Sequence, residues 1–189
     1  MESKGSNKIK EAFFALLNET KYSDISINDI AQKAQMTRRT FYLHYENKLQ
    51  LFEEVMGDFI EFNLNPFLYE QEDLRFALKI QNVIHTIRTH YDVANCLFNE
   101  DCPKVAKNMI AAILNNQIHQ HEAKGFFLYH FDNLYTQYYF VDAVSNNLLG
   151  VIHFTLSTMN LTLEEQMSEI CKACDMISYF YKTNLHEEE

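Results

Sequence analysis

Apolar residues recur along this chain at steps of three and four, the period of a helix that buries one face. Ile9, Phe13, Leu16 and Leu17 predict an amphipathic helix over residues 7–20. Ile27, Ile30, Ala31 and Ala34 form the stripe of a two-turn helix over 27–34, with Ser26 as its N-cap. Gln35 and Met36 break that stripe, and Thr37 offers a second cap to a short helix over 38–45. Its inner residues are Phe41 and Tyr45, four apart, which are expected to pack on Ile30 and Ala34. Leu51, Phe52, Val55, Met56, Phe59 and Ile60 then stripe a helix that starts near Asn47.

The pattern breaks over 63–71, around Pro66, which sets the expected domain boundary. Beyond it, Ala77, Ile80, Ile84, Ile87 and Tyr91 predict a core helix, and residues 92–98 a short one. Pro103 suits the first turn of the next helix, which runs to about His121 before Gly125 interrupts. Residues 126–132 are aromatic but aperiodic. The longest helix spans 134–159 and is apolar round much of its circumference, which predicts burial on more than one side. Thr162 and Glu165 read as a capping box for a last helix striped by Met167, Ile170, Cys171, Cys174, Ile177 and Tyr181. The acidic tail after it is expected to be disordered. With four glycines and two prolines in 189 residues, long helices and short connections are the expected form.

Charge sharpens this picture. Residues 1–50 hold eight Lys/Arg against six Asp/Glu, net +2, and residues 51–189 hold eight against twenty, net −12, together the chain's −10. A mildly basic end on an acidic body points that end at an anion. Arg38 and Arg39 stand at the start of a short helix, where the helix dipole favours acids, so their presence argues for an anionic contact rather than for stability. The arginine fork fits guanine N7 and O6 and also grips phosphate. Thr37 and Thr40 are short polar groups, Tyr42 carries a hydroxyl on a stiff stem, and Lys48 reads as a phosphate-directed charge. Lys4, Lys8 and Lys10 fit either a solvated helix end or a phosphate-touching arm.

No catalytic constellation, cofactor or metal site is expected. There is no glycine-rich phosphate loop. His119 and His121, two apart, point in different directions on a helix, and Cys171 with Cys174 lacks the further ligands of a structural zinc. Cys96, Cys102, Cys171 and Cys174 read as free thiols of a cytoplasmic protein. No apolar run approaches the ~18 residues of a membrane span, so no membrane partner is expected.

The run from Ile30 to Leu51 resembles the DNA-binding signature of the tetracycline-repressor (TetR-like) family, through Ile30, Ala31, Ala34, Thr37, Thr40, Phe41, Tyr42, His44, Tyr45, Lys48 and Leu51. It departs at Gln35, where the family usually has glycine, and at Arg39, where many members have a small residue. The resemblance implies an all-α fold, with an N-terminal three-helix helix-turn-helix DNA-binding domain and connecting helix over 1–62. A C-terminal helical ligand-binding and dimerisation domain over 63–189 completes it. It implies a regulator, taken as a repressor, that binds a palindromic double-stranded operator as a homodimer and releases it on binding a small-molecule effector. The alternative is a protein of this fold that serves protein partners and no longer binds DNA. Arg38, Arg39 and Thr40 are the candidates for base edges and nearby phosphates; Ser26, Thr37, Tyr42, His44 and Lys48 for the sugar-phosphate backbone. Pocket candidates are Phe76, Ile80, Ile84, Met109, Ile113, Tyr138 and Tyr139. The two last helices are expected to pair with their copies through Leu148, Val151, Ile152, Ile170, Cys174 and Ile177.

Overall fold

A computed structural model describes residues 4–64, 76–99, 101–102, 104–124 and 133–184, and every regular element among them is helical. Pro66, Pro103, Gly125, the aromatic run 126–132 and the acidic tail lie outside the described residues. The elements are α1 (Lys4–Glu19), a 3-10 turn (Tyr22–Asp24), α2 (Ile27–Lys33), α3 (Arg38–Tyr42) and α4 (Lys48–Phe59). A π-helical turn (Ile60–Leu64) extends α4, and α5 (Phe76–Thr89), α6 (Tyr91–Leu97), α7 (Ala106–Lys124), α8 (Leu134–Ser157) and α9 (Leu163–Asn184) follow.

Local chemistry sets the helix ends. Ser26 and Asp29 form a capping box at α2, with the Asp29 amide on Ser26 Oγ at 3.2 Å and the Ser26 amide on Asp29 Oδ2 at 2.8 Å. Thr162 and Glu165 form the expected box at α9, at 3.2 and 2.8 Å. Asn133 caps α8 and Asn47 caps α4. These reciprocal bonds hold the Asp29 and Glu165 carboxyls below their ordinary pKa.

Phe13, Ile30, Phe41, Leu51 and Phe52 of the first four helices, with Tyr45 between α3 and α4, belong to one buried cluster with Ile84 and Ile87 of α5, Leu97 of α6 and Ile152 of α8. The shared helix is α4: Val55, Met56 and Phe59 carry the core of the head into the body. In the body, α8 packs against α5 and α7, and α9 against α5. Arg88 of α5 fastens the α8–α9 corner, donating to Leu161 O at 2.8 Å and to Gln166 Oε1 at 3.0 Å.

Contrary to the expected burial on more than one side, only one stripe of α8 is buried within the chain, Gln137, Val141, Ser145, Leu148, Val151, Ile152 and Thr155, while Leu134 and Tyr135 stand exposed. Among the described residues no helix is long and apolar enough to cross a membrane, and no group of three or more His, Cys, Asp or Glu is arranged to hold a metal.

Candidate nucleic-acid interface

The turn between α2 and α3 is a Schellman motif. The Met36 amide bonds Ala31 O at 2.8 Å and the Gln35 amide bonds Gln32 O at 3.0 Å, with Gln35 in the left-handed region at φ 56°. A glutamine thus adopts the conformation that glycine adopts without strain. The turn delivers Thr37 as N-cap of α3, its Oγ1 accepting the Thr40 amide at 3.1 Å, with the two threonine hydroxyls 2.8 Å apart.

The five-residue α3 ends at Tyr42, short of the expected Tyr45, yet Phe41 and Tyr45 are both buried as its spacing requires. Their ring centroids lie 5.7 Å apart. Tyr45 OH lies 2.6 Å from Ser6 Oγ of α1 and donates to Glu54 Oε1 of α4 at 3.2 Å. Lys10 Nζ lies 2.6 Å from both Glu54 Oε1 and Asp58 Oδ2, so this lysine belongs to the α1–α4 junction and not to a phosphate-touching arm. Lys4 and Lys8 remain exposed on α1.

With its inner side fixed this way, α3 exposes Arg38, Arg39 and Tyr42. Arg38 Nη2 donates to Tyr42 OH at 3.2 Å and its guanidinium carbon lies 5.6 Å from that ring's centroid, so the pair presents one preorganised surface. Among the described residues neither Arg38 nor Arg39 is held by a carboxylate, whereas Lys33 pairs with Glu19 at 2.7 Å and Lys21 with Asp101 at 3.6 Å. Thr40 is half-buried, and Thr37 and Ser26 are exposed with their hydroxyls engaged in capping. Leu43, 76 % exposed directly after α3, adds an apolar group to this surface that sequence reasoning did not single out. Its only sequence signal is its position off the Phe41/Tyr45 stripe.

Two candidates sit differently from expectation. Lys48 turns inward: its Nζ donates to Tyr22 O and Ile25 O, each at 2.6 Å, and lies over the Tyr22 ring. Burial pushes its pKa down, and the two carbonyls offset the desolvation of the ammonium. It therefore ties α4 to the α1–α2 loop rather than reaching for phosphate. His44 is half-buried against α1, where a Cβ built on Gly5 would lie 2.6 Å from its Nε2.

The pocket candidates are also redistributed. Ile80 and Ile84 are core, Met109 and Ile113 pack half-buried on that core, and Tyr138 and Tyr139 are exposed; the Phe76 side chain lies outside the described residues. A cavity of about 170 Å³ opens instead between α4, α6, α7 and α8, lined by Met56, Leu97, Phe98, Asn99, Lys104, Ala106, Lys107, Leu149 and His153. Of the pairing candidates, Leu148, Val151 and Ile152 face the chain's own core, because they form the stripe of α8 that packs inward. Ile170 and Cys174 are half-buried and Ile177 exposed, and with Gly150, Phe154 and Ala173 they line a surface groove between α8 and α9.

Residues 9–55 match the family model of bacterial regulatory proteins, tetR family. An uncharacterized HTH-type transcriptional regulator of Bacillus subtilis (strain 168), YdgC, is 23% identical over 197 aligned positions covering 95% of each chain. A second from the same organism, YxbF, is 39% identical over 54 residues, 29% of this chain and 14% of that protein. Among solved structures, NalD, the secondary repressor of the MexAB-OprM multidrug efflux pump in Pseudomonas aeruginosa, has a TM-score of 0.61 at 18% identity, covering 89% of this chain and 95% of that one. The fatty acid degradation regulator FadR from Bacillus halodurans has a TM-score of 0.59 at 16% identity, covering 90% and 94%.

Proposed function

The chain is a TetR-like transcriptional regulator, and from that premise we propose that it binds a palindromic operator as a cytoplasmic homodimer and releases it when a small-molecule effector occupies the body. In this reading residues 1–62 read DNA, and residues 63–189 pair the subunits and sense the effector. The observation that carries it is the outer surface of α3. Arg38 and Arg39 are exposed and, among the described residues, without a carboxylate partner, while the inner rings of this segment, Phe41 and Tyr45, are buried.

Arg38, Arg39 and Thr40 are assigned to base edges and adjacent phosphates, with Leu43 available for a thymine methyl. Ser26, Thr37, Tyr42 and His44 serve the sugar-phosphate backbone. Lys48 acts one step back, by fixing α4 to the loop that precedes α2. The groove between α8 and α9, with the exposed Met176, Ile177 and Tyr179 on α9, supports pairing of two copies. Two heads on a dimer must span half-sites about one duplex turn apart, ~34 Å, so a tilt of α4 uncouples them.

Selection of bound fragments from random duplex DNA tests the reading. It expects two inverted half-sites separated by about one helical turn. Absence of enrichment at low salt would remove DNA as the partner and favour the protein-interaction alternative.

A further inference from the structure

Of the six lysines in residues 1–50, four are engaged within the chain: Lys10 at Glu54 and Asp58, Lys21 at Asp101, Lys33 at Glu19, and Lys48 at two carbonyl oxygens. Lys4 and Lys8 are exposed, and among the described residues neither has a carboxylate or carbonyl partner. They stand four apart in the first two turns of α1, where the helix dipole favours acids, and the first turn holds no acid. Two unpaired cations set against the dipole add nothing to folding, as with Arg38 and Arg39, so their placement points to an anion outside the chain.

Gly5 fixes where these lysines stand relative to α3. A Cβ built on Gly5 would lie 2.6 Å from His44 Nε2, and Ser6 Oγ lies 2.6 Å from Tyr45 OH, so the first turn of α1 sits on the segment that leaves α3. At about 100° per residue, Lys8 and Lys4 lie about 60° and about 100° from Gly5 in one rotational sense, and Lys10, committed to α4, about 140° in the other. The pair therefore flanks the His44 contact on the side turned away from α4. Within α1 the nearest acid is Glu11, one turn further from α3. His44 follows directly on the exposed Tyr42 and Leu43, so the cationic surface that begins at Arg38 continues across His44 and Gly5 to Lys8 and Lys4.

We propose that Lys4 and Lys8 grip backbone phosphates of the operator next to those served by His44, which makes the first two turns of α1 a second DNA contact; the proposal rests on the reading of α3 as the DNA-reading helix. An ammonium is a mobile point charge without the planar fork that reads a base edge, so this contact adds affinity and no sequence preference. Each phosphate neutralised releases condensed counterions and steepens the salt dependence of binding by ~0.9 in log–log form. The close approach at Gly5 ties the contact to α3, because α1 and the end of α3 move as one piece across it.

The experiment measures binding of the full chain to a duplex recovered from random DNA, and to a scrambled duplex of the same length and composition, from about 50 to about 200 mM salt. Lys4→Gln/Lys8→Gln is expected to lower the slope by ~1.8 per bound subunit, to weaken both duplexes by the same factor, and to keep the thermal midpoint. Lys4→Arg/Lys8→Arg, which keeps the charges, should keep the parent slope. Lys21→Gln removes a charge beyond the far end of α1, ~16 Å of helix from Lys8 and outside a Debye length of ~8 Å, and should leave the slope alone. An unchanged slope in the double glutamine variant, a loss confined to the recovered duplex, or an equal change in Lys21→Gln overturns the proposal. A parent chain that binds neither duplex rejects the DNA-reading role and this contact with it, whereas a parent that binds beside a variant of unchanged slope rejects the contact alone.

Discussion

The ammonium of Lys48 lies 4.1 Å from the centroid of the Tyr22 ring and donates to the Tyr22 carbonyl oxygen at 2.6 Å. With the second bond to Ile25 O, the first residue of α4 clamps the segment that leads into α2. The helix that enters the body and the loop that supports the reading head are thereby fixed to each other. Lys48→Met is expected to destabilise the chain by about 2 kcal/mol, since two carbonyls lose a charged donor. The salt dependence of DNA binding should keep its slope. A slope reduced by ~0.9 in log–log form would return Lys48 to the phosphate contacts.

Arg38 should behave in the opposite way. Arg38→Ala removes an exposed group that, among the described residues, supports only the Tyr42 hydroxyl and ring, so stability should stay within about 0.5 kcal/mol. On the selected operator it should cost ~1 to 3 kcal/mol and relax preference at one base position. Competition binding against scrambled duplex checks this, and equal loss on both sequences reduces Arg38 to a phosphate contact.

Gln35 offers a test of the turn itself. With φ at 56°, Gln35→Gly relieves a left-handed conformation worth ~1 to 2 kcal/mol while adding ~0.4 to 1 kcal/mol of unfolded-state entropy. The net expectation is a higher unfolding midpoint, by up to about 1.6 kcal/mol of stability. Gln35→Val should lower it. A lower midpoint for the glycine variant contradicts the strain.

The capping carboxylates predict a pH dependence. Asp29 and Glu165 have folded pKa values below their ordinary 3.8 and 4.5, first through hydrogen bonds from Ser26 and Thr162. A depressed acid pKa contributes stability that is complete above the ordinary value and is lost as pH falls through the folded one. The difference in urea midpoint between the parent chain and Asp29→Asn/Glu165→Gln should be constant near neutrality and shrink below pH ~4. A difference that grows on acidification has the wrong sign.

Pairing of the chain is testable on α9. Ile177 is exposed beside Cys174 and Ile170 in the α8–α9 groove, so Ile177→Asp leaves the chain's own core untouched. Sedimentation should give a dimer for the parent chain and a monomer for the variant. A variant that stays dimeric moves the interface elsewhere.

By itself, the sequence determined what depends on neighbours one to four residues away. Ser26, Thr37, Asn47 and Thr162 cap helices because each hydroxyl or amide needs only the amide three residues on. Phe41 and Tyr45 turn inward because helical spacing puts them on one face. Tertiary structure alone decided where the longer side chains ended. Lys48 and Lys10 reach partners 26 and 48 residues away, and one ammonium looks like another until those carbonyls and carboxylates are brought near. The same holds for Leu148, Val151 and Ile152: an apolar stripe specifies that a face is covered, and only packing chooses between the chain's own core, a cavity and a second copy. Those outcomes share one periodicity, and the difference lies in which helix arrives to cover the stripe.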